Sequence, residues 1–256
     1  MNEHTLSAAE SMVLRQHLDV EPELDTPRLA KALLSVLVII GAYFAIGWAN
    51  HVLIGDVTLV GYQIELSVLI SLMLGAGVTI WVGKTRGSLA SLGFTRPQSY
   101  WRSTLAAIGM VVVTYASIVP FMTGLDAVGI LPAPPEDTNG FIVNGPSVAI
   151  SLAFSFLLMW PCAAFGEELL FRGFLQNNVE RALGGESWRN GLAAAFVVSL
   201  AFGAMHIPSQ GYYGLVITGI VGFVLGVFYL AGKRSLFPVV LAHGLINSIS
   251  LALAAA

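Results

Sequence analysis

The sequence predicts an all-α, polytopic transmembrane helical bundle of about seven spans. Two observations carry that prediction. Hydrophobic residues make up 56% of the chain and charged residues only 11%, against about 25% charged in soluble domains. Several apolar runs also reach the roughly 20 residues that an α-helix needs to cross a bilayer. The same composition excludes other classes. A net charge of −3 without a basic stripe leaves no footprint for nucleic acid. Cys162 is the only cysteine, so one chain forms neither a disulfide framework nor a CxxC metal site.

The elements follow in order. Residues 1–28 carry acids, prolines and polar groups. They lack the basic, apolar and small-residue segments of a signal peptide and read as a soluble tail with a short surface helix over 7–18. The first span runs over 28–49, with Lys31 and Trp48 as interface residues. A loop over 50–61 contains Asp56 and no Lys or Arg. The second span covers 62–82, with Glu65 at the interface. The connector 83–102 holds Lys84, Arg86, Arg96 and Arg102, which places it and the N-terminus in the cytoplasm. The third span is 104–124, kinked or frayed near Pro120. The next loop has Asp126, Glu136, Asp137 and prolines over 132–135 but no Lys or Arg, so it faces outward. A long fourth helix, or two helical pieces, covers 147–183. Pro161 should bend it and Gly184-Gly185 should stop it. The fifth span is short, 191–206. The sixth, 212–230, carries Gly214, Gly219, Gly222 and Gly226, which allow close helix approach. Lys233-Arg234 closes it, and a seventh span begins near Pro238. There is no repeat, no low-complexity segment and no second folded unit. The short loops point to an integral protein of a prokaryotic plasma membrane, and the oligomeric state is not encoded in any feature we recognise.

The fourth helix places Glu167 and Glu168 after an almost wholly apolar stretch. A charge at bilayer depth costs at least ~2.5–3.5 kcal/mol, and such residues mark functional sites by default. Three helices each offer a polar cluster at i, i+4 spacing: Glu168 with Arg172, Phe202 with His206, and His243 with Asn247. Arg172 can neutralise Glu168 through a charge-assisted pair, while Glu167 points about 100° away. A buried carboxylate beside a neutral imidazole can hold and deprotonate a water. A second His with an Asn amide can donate to a developing oxyanion. That is equipment for hydrolysing an amide without a covalent intermediate. Glu167, His206 and His243 could instead bind Zn²⁺ with one position open for water, and the sequence does not separate the two. Each residue alone has a plainer role. A membrane His or Asn often packs helices, and Glu168–Arg172 alone reads as a structural pair. The coincidence of the three clusters favours chemistry. Other intramembrane hydrolase patterns, HExxH, GxSG and GxGD, are absent, and Ser209, in a loop, takes no nucleophilic role.

Glu167-Glu168-x-x-x-Arg172, Phe202-x-x-x-His206 and His243-x-x-x-Asn247, in that order on successive apolar helices, resemble the three motifs of the CPBP family. That family comprises the type II CAAX prenyl proteases and the related bacteriocin-processing and immunity proteins, also called Abi. The likeness covers about 147–250, and residues 89–94 resemble the stretch that precedes the family's core. It implies accessory transmembrane helices over 29–146 and a catalytic core over 147–256. It further implies an intramembrane glutamate- or metal-dependent endopeptidase acting on a peptide or protein substrate at the membrane. Glu167 would activate water with His206, His243 and Asn247 would stabilise the oxyanion, and Glu168, Arg172 and Phe202 would support the site. Two other functions compete: a non-catalytic scaffold or bacteriocin self-immunity protein, and a carrier of protons or small ions through the buried acids. One geometric demand stands out. With Lys233-Arg234 cytoplasmic, His206 lies nearer the outer side than His243. The site then forms only if the fifth helix stops short or the helices tilt strongly.

Overall fold

A computed structural model describes residues 26–53, 57–64, 69–86, 88–130 and 143–254. The surface helix expected over 7–18, the interface position of Glu65 and the prolines at 132–135 lie outside these residues. The elements are α1 (Thr26–Leu53), the strands β1 (Val57–Leu59) and β2 (Tyr62–Ile64), and the helices α2 (Leu69–Arg86) and α3 (Tyr100–Ala127). Strand β3 (Val143–Asn144) follows, then α4 (Val148–Ala182), α5 (Trp188–Ala204), α6 (Ile207–Ala231) and α7 (Leu236–Ala254). The protein is an all-α polytopic bundle. Among the described residues, five of the helices are long and apolar enough to cross a membrane: α1, α3, α4, α6 and α7. The two shorter ones are α2 and the 17-residue α5.

Several boundaries differ from the sequence reading. Tyr62–Ile64 is a strand, not the start of the second span. It pairs antiparallel with β1 through a turn at Val60 and Gly61, both at positive φ, and with β3 on its other side. Two consecutive positive-φ residues suit the right-handed twist of a two-residue hairpin. The first helix begins at Thr26, inside the stretch assigned to the tail. The sixth begins at Ile207, where Pro208 fits the first turn, and it kinks at Gly211, whose φ of 62° and ψ of −160° are open to glycine. α3 runs past Pro120 to Ala127.

The fourth helix is one continuous element of 35 residues, about 50 Å long at ordinary helical rise. Its middle is unusual. From Trp160 to Glu167 and again from Leu169 to Gln176 the turns are of the wide π type. Pro161 has no N–H to give to the ladder, and the change of register begins beside it. The helix ends where Gly184 and Gly185 take positive φ. Every residue from Gly166 to Asn177 is buried, because α4 packs against α1, α2, α5, α6 and α7. The segment after α2 docks on its lower end. Leu92 is fully buried, its carbonyl lies against Gly173, and Asn177 donates to the Ser91 carbonyl at 3.1 Å.

Small residues set the helix register. A Cβ on Gly226 would meet Ala195 and one on Gly222 would meet Phe202 and Ser199, so α5 and α6 pack backbone to backbone in the manner of membrane helix pairs. Arg172 donates to the Gly222 carbonyl at 2.8 Å and Gln176 to the Gly226 carbonyl at 3.1 Å. Arg172, Phe202 and Gly222 therefore share one level of the bundle. At the α6–α7 turn, Lys233 and Arg234 both take positive φ. Arg234 is held there by two bonds to Glu180, at 2.5 and 3.0 Å, with Glu186 at 3.4 Å. Those bonds raise the Arg234 guanidinium above its ordinary range.

Candidate active site

Helix four turns its two adjacent acids to different neighbours. Glu168 is fully buried and faces α6 and α7. Its Oε1 accepts from Arg172 at 2.7 Å and from His243 Nδ1 at 2.8 Å. Arg172, 1% exposed, is satisfied by this carboxylate and the Gly222 carbonyl, and its guanidinium carbon lies 4.7 Å from the centre of the Phe202 ring. An ionised carboxylate only accepts, so the bond from His243 puts a hydrogen on Nδ1. In the neutral imidazole Nε2 then carries the free lone pair.

Glu167 turns toward α2 and α7. Ser71 on α2 donates to its Oε1 at 3.3 Å, and Tyr43 on α1 donates to the Ser71 hydroxyl. This arrangement depends on a close approach of backbones. A Cβ on Gly166 would sit 2.9 Å from the Leu72 nitrogen and from the Ser71 carbonyl carbon. The other oxygen, Oε2, lies 3.9 Å from His243 Nε2. That is too far for a direct hydrogen bond. Both atoms are held from behind, one through Ser71 and the other through Glu168.

Phe202 is the common wall. Its ring lies edge-on to Phe171 at 5.0 Å, and it packs against the rings of His206 at 5.0 Å and His243 at 5.9 Å. His206, half-buried at the end of α5, donates from Nδ1 to the Phe202 carbonyl at 2.8 Å. Asn247 lies one turn beyond His243, half-buried, with no hydrogen-bond partner among the described residues. Helix length and register bring His206 to the level of the acids. The 17 residues of α5 extend about 25 Å, short of a bilayer core of about 30 Å. Phe202 is level with Arg172, and one turn further up, His206 just past the end of α5 and Glu168 on α4 come level, at the height where His243 bonds Glu168.

The buried residues Glu167, Glu168, Arg172, Phe202 and His243 thus meet in one constellation with the half-buried His206, and Asn247 lies at its edge. The pairing within it differs from the one the sequence suggests. The imidazole beside Glu167 is that of His243, and His206 makes neither a hydrogen bond nor an ion pair with a carboxylate among the described residues. Nor do Glu167, His206 and His243 form a metal-binding set as they stand. No group of three or more His, Cys, Asp or Glu side chains among the described residues has that geometry. Two contributors were not singled out from the sequence at all, Tyr43 and Ser71. Their only signal is a hydroxyl in the middle of an apolar run, which is common in membrane helices.

Comparison with known families and proteins gives one positive result. Residues 149–249 match the family model described as Type II CAAX prenyl endopeptidase Rce1-like. That stretch contains α4 to α7 almost entire, with every one of the motif residues above. Neither the curated proteins nor the solved structures yield a match.

Proposed function

We propose, from the match of residues 149–249 to the Rce1-like model of type II CAAX prenyl endopeptidases, an intramembrane endopeptidase whose water is held between Glu167 and His243. The observation that carries this reading is the 3.9 Å separation of Glu167 Oε2 and His243 Nε2. Two acceptors at that distance are bridged by a molecule with two donor hydrogens. A water at ordinary bond lengths of about 2.8 Å would subtend roughly 90° between them, close to its own angle. Both hydrogens are then directed at the protein and the oxygen lone pairs at the substrate carbonyl.

In the proposed cycle, the carbonyl carbon of the scissile bond is attacked by this water as Glu167 takes a proton from it. Glu168, fixed by Arg172, holds His243 in the tautomer that accepts. The Asn247 amide, which has no hydrogen-bond partner among the described residues, donates to the oxyanion of the tetrahedral intermediate. The intermediate collapses by breaking the C–N bond, and the leaving amine takes the proton that Glu167 accepted from the water. His206, whose Nδ1–H is bound to the Phe202 carbonyl, keeps Nε2 as an acceptor and gives no proton in this cycle. His243 thereby takes the water-holding role that the family resemblance gives to His206. Zinc held by Glu167, His206 and His243 is the other route. The three do not converge as a ligand set, and no step is derived through it. Elemental analysis of the purified protein, together with chelator sensitivity, tests that alternative.

The helices before residue 147 serve as support for the core in this reading, and the N-terminus is cytoplasmic, in keeping with the basic residues Lys84, Arg86, Arg96 and Arg102 around the α2–α3 connection. The substrate is a peptide or protein segment at the membrane, of CAAX type or a peptide to be processed. Comparing the termini of membrane proteins in cells with wild-type protein and with Glu167→Gln tests the activity and identifies the substrate. New termini that depend on Glu167 support a peptidase. Unchanged termini, with the biological role intact in the variant, indicate a scaffold or immunity protein. Ion flux in liposomes lost on the same substitution indicates a carrier.

A further inference from the structure

We propose that Ser71, backed by Tyr43, is a positioning residue for Glu167, so that the reactive carboxylate is aimed by two helices outside the family-matched segment. This inference rests on the reading of Glu167 as the group that holds water. A carboxylate on a glutamate side chain rotates about a soft terminal torsion. Water held between Glu167 and His243 requires one oxygen to face Nε2 in a fixed orientation. Ser71 supplies that restraint by donating to Oε1 at 3.3 Å, leaving Oε2 to face the imidazole. The hydroxyl of Ser71 is itself oriented, because Tyr43 donates to its oxygen and commits its hydrogen to Glu167. Ser71 is 3% exposed, so bulk water does not substitute for the missing donor.

The placement is built into the packing. Gly166 immediately precedes the acid, and Gly75 on α2 faces it, with a Cβ on Gly75 reaching 3.2 Å from the Gly166 carbonyl. This glycine-to-glycine contact brings α2 close enough for so short a side chain as serine to reach the carboxylate. Tyr43 is also packed against Phe171 at 6.3 Å between ring centres, which fixes the phenol from the α4 side. The chain of contacts therefore runs from α1 through α2 to α4, with each donor aimed by the next.

The test uses the full chain in lipid nanodiscs, with a quenched fluorescent farnesyl-CaaX peptide as the probe of turnover and infrared difference spectroscopy as the probe of the carboxyl. The Glu167 band is assigned by its loss in Glu167→Gln. We expect that band to shift in Ser71→Ala and Tyr43→Phe, and to return in Ser71→Thr, which keeps the hydroxyl. Turnover should fall about tenfold in Ser71→Ala with KM within a factor of two, the size expected for one hydrogen bond to a charged group. The double variant should be no worse than Ser71→Ala alone, since Tyr43 acts through Ser71. An unmoved Glu167 band in a folded Ser71→Ala protein overturns the proposal, whatever the peptide result. Full cleavage by Glu167→Gln defeats the catalytic reading instead, so the two failures are distinct.

Discussion

Replacing Arg172 by Met tests the organisation of the site at its most buried point. Arg172 is 1% exposed and Glu168 is 0% exposed. Their contact at 2.7 Å is the only ion pair of Arg172 among the described residues. Removing the cation leaves a carboxylate in the bundle interior with the His243 hydrogen as its remaining donor. Breaking a buried pair from one side costs about 3–5 kcal/mol. Methionine fills much of the volume, so lost packing adds less than the uncompensated charge. The double replacement Glu168→Leu with Arg172→Met removes both charges, and the cycle should give a coupling of at least about 1.5 kcal/mol. The lost bond to His243 occurs in both Glu168 variants and cancels in the cycle. Unfolding by SDS in mixed micelles, followed by tryptophan fluorescence, measures all four proteins. An Arg172→Met protein within about 1 kcal/mol of wild type, or a strictly additive double variant, would refute the argument that this pair is a buried charge pair holding α4 to α6 and α7.

Other substitutions separate packing from chemistry. Gly166→Ala forces a methyl against the α2 backbone at 2.9 Å. It should cost about 1–3 kcal/mol as overpacking and reduce peptide turnover as Ser71 is pushed away, both read on the same preparation. Asn247→Ala should lower turnover about 10²–10³-fold, the size of one oxyanion donor, with stability within about 0.5 kcal/mol by SDS titration. Lys233→Gly relieves a left-handed backbone of φ 55° on an exposed residue and should stabilise by up to about 1 kcal/mol. Arg234→Gly relieves the same strain at φ 57°, yet it should destabilise, because it strips both hydrogen bonds from the buried Glu180.

The features legible in the sequence are those that depend on local spacing. Glu168 with Arg172, Phe202 with His206, and His243 with Asn247 lie four residues apart, and that interval keeps a helix face intact whatever the packing. The short fifth helix was also one of the two arrangements, with strong tilt as the other, that the register of His206 allowed. What could not be read depends on which helix lies across from which. Two adjacent acids offer two faces, and only packing decides that Glu168 takes His243 from behind while Glu167 meets it from the side. Ser71 and Tyr43 gain meaning only from the contact of Gly166 with α2. The π-type turns from Trp160 to Gln176 have no sequence pattern beyond Pro161 and two glycines. The hairpin over 57–64 was hidden because its apolar residues continue the hydropathy of the helix that follows.

The central claim is that Glu167 activates the attacking water. Its most direct test is turnover of the quenched farnesyl-CaaX peptide by reconstituted wild-type and Glu167→Gln proteins of equal folded yield and equal SDS stability. The account predicts a loss of at least about 10²-fold in the variant, the lower end for removing a general base. Cleavage by Glu167→Gln within a few-fold of wild type would contradict it.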